Sequence, residues 1–180
     1  MGQTSSNQLK FDSKNLKKAI CVIGIKKTTS VFGIIHIEEL SDDTVEISGE
    51  ISGLKPGNHG FHIHRCGNIT ECGKCCDHYN PHNRSHGGPG DSERHVGDLG
   101  NITADDNGVA KINIRDHLVK LSGPFTVIGR SFVIHESEDD LGKGGLSEQG
   151  NVVDEKIRQE SLTTGNAGKR IGCGVIGIAE

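Results

Sequence analysis

Residues 44–51 read TVEISGEI, and apolar residues alternate with polar ones along most of that stretch. Val45, Ile47 and Ile51 fall on one side of an extended chain, with Thr44, Glu46, Ser48 and Glu50 on the other, because successive side chains of a strand point to opposite faces. Such a strand has one face for a core and one for water, as antiparallel sheets do. Residues 110–115, AKINIR, repeat the pattern, setting Ala110, Ile112 and Ile114 against Lys111, Asn113 and Arg115. Further candidates are 19–25, 31–38, 58–64, 96–103, 127–135 and 171–178, divided by turn signals such as KPGN and DDNG. Eight short strands with no convincing helix predict an all-β chain, closed or nearly closed into an antiparallel barrel or sandwich.

A length of 180 residues suits one domain. With 32% hydrophobic residues and 26 glycines, the core is expected to be small and aliphatic, and much of the chain to lie in turns and loops. A net charge of −4 argues against general binding to nucleic acid. An anionic substrate would need a local attractive field. Residues 1–17 are polar and are expected to form an extension ahead of a domain at 18–180. The first apolar run, AICVIGI, is shorter than a signal peptide or a membrane span requires. A cytoplasmic chain is therefore expected, and the sequons at Asn68, Asn83 and Asn101 are read as chance. The opening MGQTSS also fits the myristoylation pattern, with Gly2 as acceptor. One acyl chain binds membranes only marginally, so membrane association is expected only if Gly2 is modified.

Two long stretches, about 65–98 and 136–170, interrupt the strands, and loops of that length in a compact domain are commonly functional. The first is preceded by HGFHIH, in which Phe61 and Ile63 take one face of a strand and His62 and His64 the other. Within it lie His78, His82, His86, His95 and Asp98, and His135 ends a later strand. A loop too polar to bury a core can be ordered by a metal instead. Imidazoles with a carboxylate suit zinc, while imidazoles alone suit copper equally well.

The stretches GFHIH, HYNP, HGGP, RHVGDLGN, VIHE, DDLGKGG and TGNAGKRIGCGVIGIA together resemble the copper/zinc superoxide dismutase family, in order from residue 18 to the C-terminus. The resemblance implies a flattened eight-stranded Greek-key β-barrel. It further implies an oxidoreductase that converts two superoxide anions and two protons to oxygen and hydrogen peroxide by cycling copper. Carried over residue by residue, it assigns copper to His62, His64, His78 and His135 and zinc to His78, His86, His95 and Asp98. His78 bridges the two metals and acts as the proton carrier. Arg170 positions the anion, Thr164 narrows the channel, and Asp139 supports a histidine of each metal. His59 matches a structural position; His36, His82 and His117 have no counterpart and are read as surface residues.

The same resemblance pairs Cys72 with Cys173 and implies a homodimer. Cys21, Cys66, Cys75 and Cys76 lie outside its pattern, and Cys66 stands where the family often carries an aromatic at its dimer contact. CGKCC could hold a metal through thiolates, but no second CxxC completes the set. Lys169 and Ile171 flank Arg170 where chaperone-dependent members carry a proline, so a copper chaperone is expected to be dispensable. The 136–170 loop is the family's electrostatic loop. An insertion falls at about 146–158, and Thr163 takes a position commonly held by lysine. The alternative reading is a non-catalytic copper/zinc-binding or copper-delivery protein on the same barrel. Retention of every ligand and of Arg170 favours the enzyme.

Overall fold

The computed structural model describes residues 16–24 and 30–180. Gly2 and the rest of the polar extension to residue 15 lie outside the described residues. The strands are β1 (Lys18–Ile23), β2 (Phe32–Glu39), β3 (Val45–Ser52), β4 (Gly57–His64), β5 (Asp98–Ala104), β6 (Val109–Asp116), β7 (Ser131–His135) and β8 (Arg170–Ile178). They close into one antiparallel barrel in the order β1-β2-β3-β6-β5-β4-β7-β8. The neighbours β3–β6 and β4–β7 are far apart in sequence, which gives the crossed connections of a Greek key.

The alternating stretches behave as their pattern requires. Val45, Ile47 and Ile51 are fully buried, and β3 pairs with β6 so that Ile47 faces Ile114 and Ile51 faces Ala110. Phe61 of β4 stacks on Phe132 of β7 with ring centroids 4.9 Å apart, a contact worth about 0.5–1.5 kcal/mol beyond the area buried. This seam lies directly beneath His62 and His64. Pairing Phe61 with Ile134 and Ile63 with Phe132 fixes the register that orients both histidines outward from the core.

The structure differs from the sequence reading in three places. Residues 127–130 do not extend the seventh strand, which starts at Ser131; Gly129, at φ 81°, turns the chain just before it. The expectation of no helix is corrected by α1 (Glu155–Thr164), inside the second long loop. Asp154 caps it by accepting from the Ile157 N–H at 2.9 Å, and Gly165 ends it at φ 69°. Ser161 is its one buried residue, so an apolar stripe never marks it. It docks through polar contacts instead: Ser161 Oγ accepts from Gly144 N–H and donates to Asp140. Thirdly, β4 lacks the water-facing side that one-sided strands such as β3 carry, because His62 and His64, opposite Phe61 and Ile63, are buried beneath the two long loops.

Candidate metal centre

His62, His64, His78 and His135 form one cluster, and His78, His86, His95 and Asp98 a second; in each, the potential ligand atoms lie within 4.8 Å of one another. All seven residues are buried. β4 supplies His62 and His64, β7 supplies His135, and Asp98 begins β5. His78 reaches the first cluster through an isolated antiparallel bridge to His64.

Hydrogen bonds set which nitrogen of each ring stays open. In the first cluster, His62 Nε2 donates to Asp139 at 2.7 Å, His64 Nδ1 to the Cys76 carbonyl at 2.8 Å, and His135 Nδ1 to the Gly168 carbonyl at 3.1 Å. That leaves His62 Nδ1, His64 Nε2 and His135 Nε2 as lone pairs facing a common space, with the last two 3.4 Å apart. His78 Nδ1 faces Asp98 at 2.8 Å, and its Nε2 turns toward the first cluster's other rings with no hydrogen-bond partner. His62 Nδ1 and His86 Nδ1 are likewise buried without partners. Buried polar atoms are normally satisfied. Converging lone pairs repel one another unless a cation lies between them, so the donor set fits a metal in each cluster.

Asp98 organises the second cluster. Its Oδ1 lies 2.8 Å from His78 Nδ1 and 3.0 Å from the Nδ1 atoms of His86 and His95. His95 N–H and Gly87 N–H hold the other oxygen at 2.8 and 3.2 Å. His86 Nδ1, although near Asp98, is misaligned for a hydrogen bond, as expected of an atom aimed at a shared centre. Asp139 joins the clusters, accepting from His62 with one oxygen and from His86 Nε2 with the other at 2.8 Å. Gly165 is required here: a Cβ would come within 2.0 Å of Asp139 Oδ1 and 2.5 Å of His86 Nε2. The end of α1 thereby seals the Asp139 contact.

The protonation states suit metal binding. Burial, reinforced by the charge of His78, pushes His62 down to about 3 and His64 lower still. His135 goes down to about 4, chiefly through burial, and burial also lowers His78. These rings are neutral at neutral pH, with lone pairs open to a cation. Burial would raise Asp98, but the hydrogen bonds of His78 and His95 and the close approach of His86 outweigh it and hold the carboxyl well below the usual range. Burial likewise opposes the hydrogen bonds of His62 and His86 at Asp139, which ends at about 2. At His86 burial is outweighed by Asp139 and Asp98, which push it up to about 9. A metal at Nδ1 would displace that proton.

A cleft of about 230 Å³ opens over the first cluster, lined by His64, Asp77, His78, His135, Glu160, Thr163, Thr164, Gly168 and Arg170. Arg170 NH1 is fixed by the carbonyls of Cys72 and Gly73 at 3.3 and 3.2 Å. Thr164 Oγ1 donates to Glu160 at 2.8 Å. Asp77 was not singled out from the sequence; nothing in its local pattern marks it, and only the folded loop brings it to the mouth. His59 places Nδ1 and Nε2 each 2.8 Å from a carbonyl, those of His135 and Lys55, and so ties the loop before β4 to the end of β7. His36, His82 and His117 are exposed.

The cysteines form two disulfides, Cys72–Cys173 and Cys66–Cys76. Cys21 and Cys75 are free and buried, and burial pushes the Cys21 thiol up to about 12. With its two outer cysteines in separate disulfides, CGKCC is not a thiolate metal site. The second disulfide was not foreseen because neither spacing nor resemblance pairs these residues.

The family model described as copper/zinc superoxide dismutase matches residues 31–176. The chain is 48% identical over 165 residues to an extracellular copper–zinc superoxide dismutase of Onchocerca volvulus, covering 91% of this chain and 77% of the relative. It is 47% identical over 162 residues to copper–zinc superoxide dismutase A of Xenopus laevis, covering 89% and 97%. A solved structure described as the clock protein EA4 superposes with a TM-score of 0.81 at 38% identity, over 99% of this chain and all of that one.

Proposed function

The chain belongs to the copper/zinc superoxide dismutase family, and from that premise we propose that His62, His64, His78 and His135 hold copper while His78, His86, His95 and Asp98 hold zinc. The family is one of oxidoreductases that bind both metals, and its activity is superoxide dismutation. The observation that carries the ligand assignment is the buried, partnerless Nε2 of His78, whose Nδ1 faces Asp98. One ring thus offers a nitrogen to each cluster.

Copper held there would supply a one-electron redox couple, and zinc would supply fixed charge. The chain's own residues do the rest. Arg170, anchored by two carbonyls, holds a permanent positive charge at the cleft and orients the anion. His78 can take a proton on Nε2 and give it to the departing peroxide, because its Nδ1 stays committed to the second cluster around Asp98. Thr164 and Glu160 narrow the entrance. Asp139 keeps His62 and His86 in the tautomers that leave their Nδ1 atoms free.

The alternative, non-catalytic copper/zinc binding or copper delivery on the same barrel, needs neither Arg170 at the cleft nor a proton carrier. The two readings separate in a direct assay: copper- and zinc-loaded protein should consume superoxide over many turnovers per copper. Stoichiometric consumption that then stops would favour delivery.

The homodimer rests on an apolar patch in which exposed Val22 and Ile34 face each other across β1 and β2, with Phe32 and Ile178 also exposed. Sedimentation at micromolar concentration tests it. No helix among the described residues is long and apolar enough to cross a membrane. The cytoplasmic location competes with an extracellular one, which the second disulfide and one relative's name favour. Fractionation of expressing cells and medium decides between them.

A further inference from the structure

We propose that the Cys66–Cys76 disulfide is a positioning cross-link for copper, holding His64 and His78 opposite one another before the metal arrives. The proposal rests on the ligand assignment above. Each cysteine of the pair stands two residues from a ligand, and the disulfide extends the short ladder on which both ligands lie. His64 and His78 form its first antiparallel bridge. Arg65 N–H then donates to the Asp77 carbonyl at 2.9 Å and Cys66 N–H to the Cys75 carbonyl at 3.0 Å. Cys66 and Cys76 cross-link the two segments just beyond that bridge, with Cα atoms 5.4 Å apart, within the ordinary span of a disulfide.

Cys76 also makes a second contribution. Its carbonyl accepts from His64 Nδ1 at 2.8 Å, and that bond leaves His64 Nε2 open toward the cluster. Yet Cys76 sits at φ 65°, a left-handed conformation that a residue with a Cβ adopts only when its surroundings hold it there. The covalent bond to Cys66 is such a hold. Cys66 is in turn anchored to the barrel, since its carbonyl accepts from Ser131 Oγ at 2.8 Å at the start of β7. The cross-link thus ties the His64 acceptor to a rigid strand. The zinc set shares only His78 with this ladder. His78 Nδ1 is held by Asp98, whose second oxygen is fixed by two backbone N–H groups, and no zinc ligand bonds to Cys66 or Cys76.

The test compares the parent with Cys66→Ser/Cys76→Ser and with Cys66→Ser/Cys76→Gly, which removes the left-handed strain together with the bond. Copper and zinc affinities are measured separately by chelator competition, with the visible spectrum of bound copper(II) and the thermal midpoint of the metal-free chain alongside. Copper affinity should fall by about 10- to 100-fold in both variants, as when a group orienting a ligand is lost, with a changed copper spectrum and little change for zinc. Lower thermal midpoints with an unaltered ratio of copper to zinc affinity would make the disulfide merely structural and overturn the proposal. Should the variants not fold, the parent is treated with dithiothreitol under native conditions, its two thiols closing to a disulfide as Cys66–Cys76 opens to two thiols. Copper release that tracks the alkylation of Cys66 and Cys76 supports the proposal, and release that tracks only Cys72 and Cys173 refutes it. A parent that binds no copper would instead overturn the ligand assignment, and the cross-link's role with it.

Discussion

Replacing His135 with alanine separates the two metal positions and also reports on the metal-free protein. His135 belongs to the first cluster alone, so copper affinity should fall by more than the roughly 10- to 100-fold expected for losing a group behind a ligand. Zinc affinity should hold. Without metals the same residue makes folding acid-sensitive. Burial pushes it down to about 4 from an ordinary value of 6.5, so the unfolded chain takes its proton first. The corresponding stability is complete above about pH 6.5 and is lost as the pH falls toward 4. At pH 4.5 the difference amounts to about 2.5 kcal/mol. Urea titrations of metal-free parent and His135→Ala at pH 7 and pH 4.5 should therefore show a smaller acid loss in the variant, by roughly 2 kcal/mol. His86 works in the opposite direction: raised to about 9, it stabilises the metal-free chain below about pH 6.5, and that contribution fades as the pH rises through 9. It is present in both proteins and cancels. Equal acid losses, or zinc loss matching copper loss, would refute the assignment of His135 to a buried copper set.

Asp98→Ala should lower zinc affinity first, since three histidine Nδ1 atoms converge on that carboxylate; undiminished zinc after dialysis would contradict this. Turnover should fall as salt rises, because Arg170 and the bound metals supply an attractive field within a Debye length of about 8–10 Å. Asp77 and Glu160 oppose that field at the cleft, so Thr163→Lys and Asp77→Asn should each raise the low-salt rate, and Arg170→Ile should reduce turnover well beyond either change. Stopped-flow rates across an ionic-strength series decide it, and flat salt profiles with no gain in Thr163→Lys would exclude steering. Expression in a host lacking the copper chaperone should still yield the Cys72–Cys173 disulfide and copper-loaded protein, whereas a fully reduced product would show dependence.

The barrel was legible because Val45, Ile47, Ile51 and their counterparts in β6 obey a period of two that local sequence alone can express. The histidines were legible as candidates, but their grouping came from the family resemblance, because contacts such as His62 to Asp139 join residues 77 positions apart. Two features escaped. Helix α1 is polar on nearly every side and is marked only by Asp154 and Gly165 at its ends, cues that also occur in ordinary loops. The Cys66–Cys76 pairing depends on a left-handed backbone at Cys76 and on a ladder started by His64 and His78. Cysteine spacing does not encode either condition.

Pulse radiolysis measures whether the four-imidazole copper site beside Arg170 turns over superoxide. Zinc-loaded protein is titrated with copper and the decay of a superoxide pulse is followed at each occupancy. The catalytic rate should rise in proportion to copper up to one per chain and disappear in His135→Ala. A decay no faster than that of the zinc-only protein, at full copper occupancy, would contradict it.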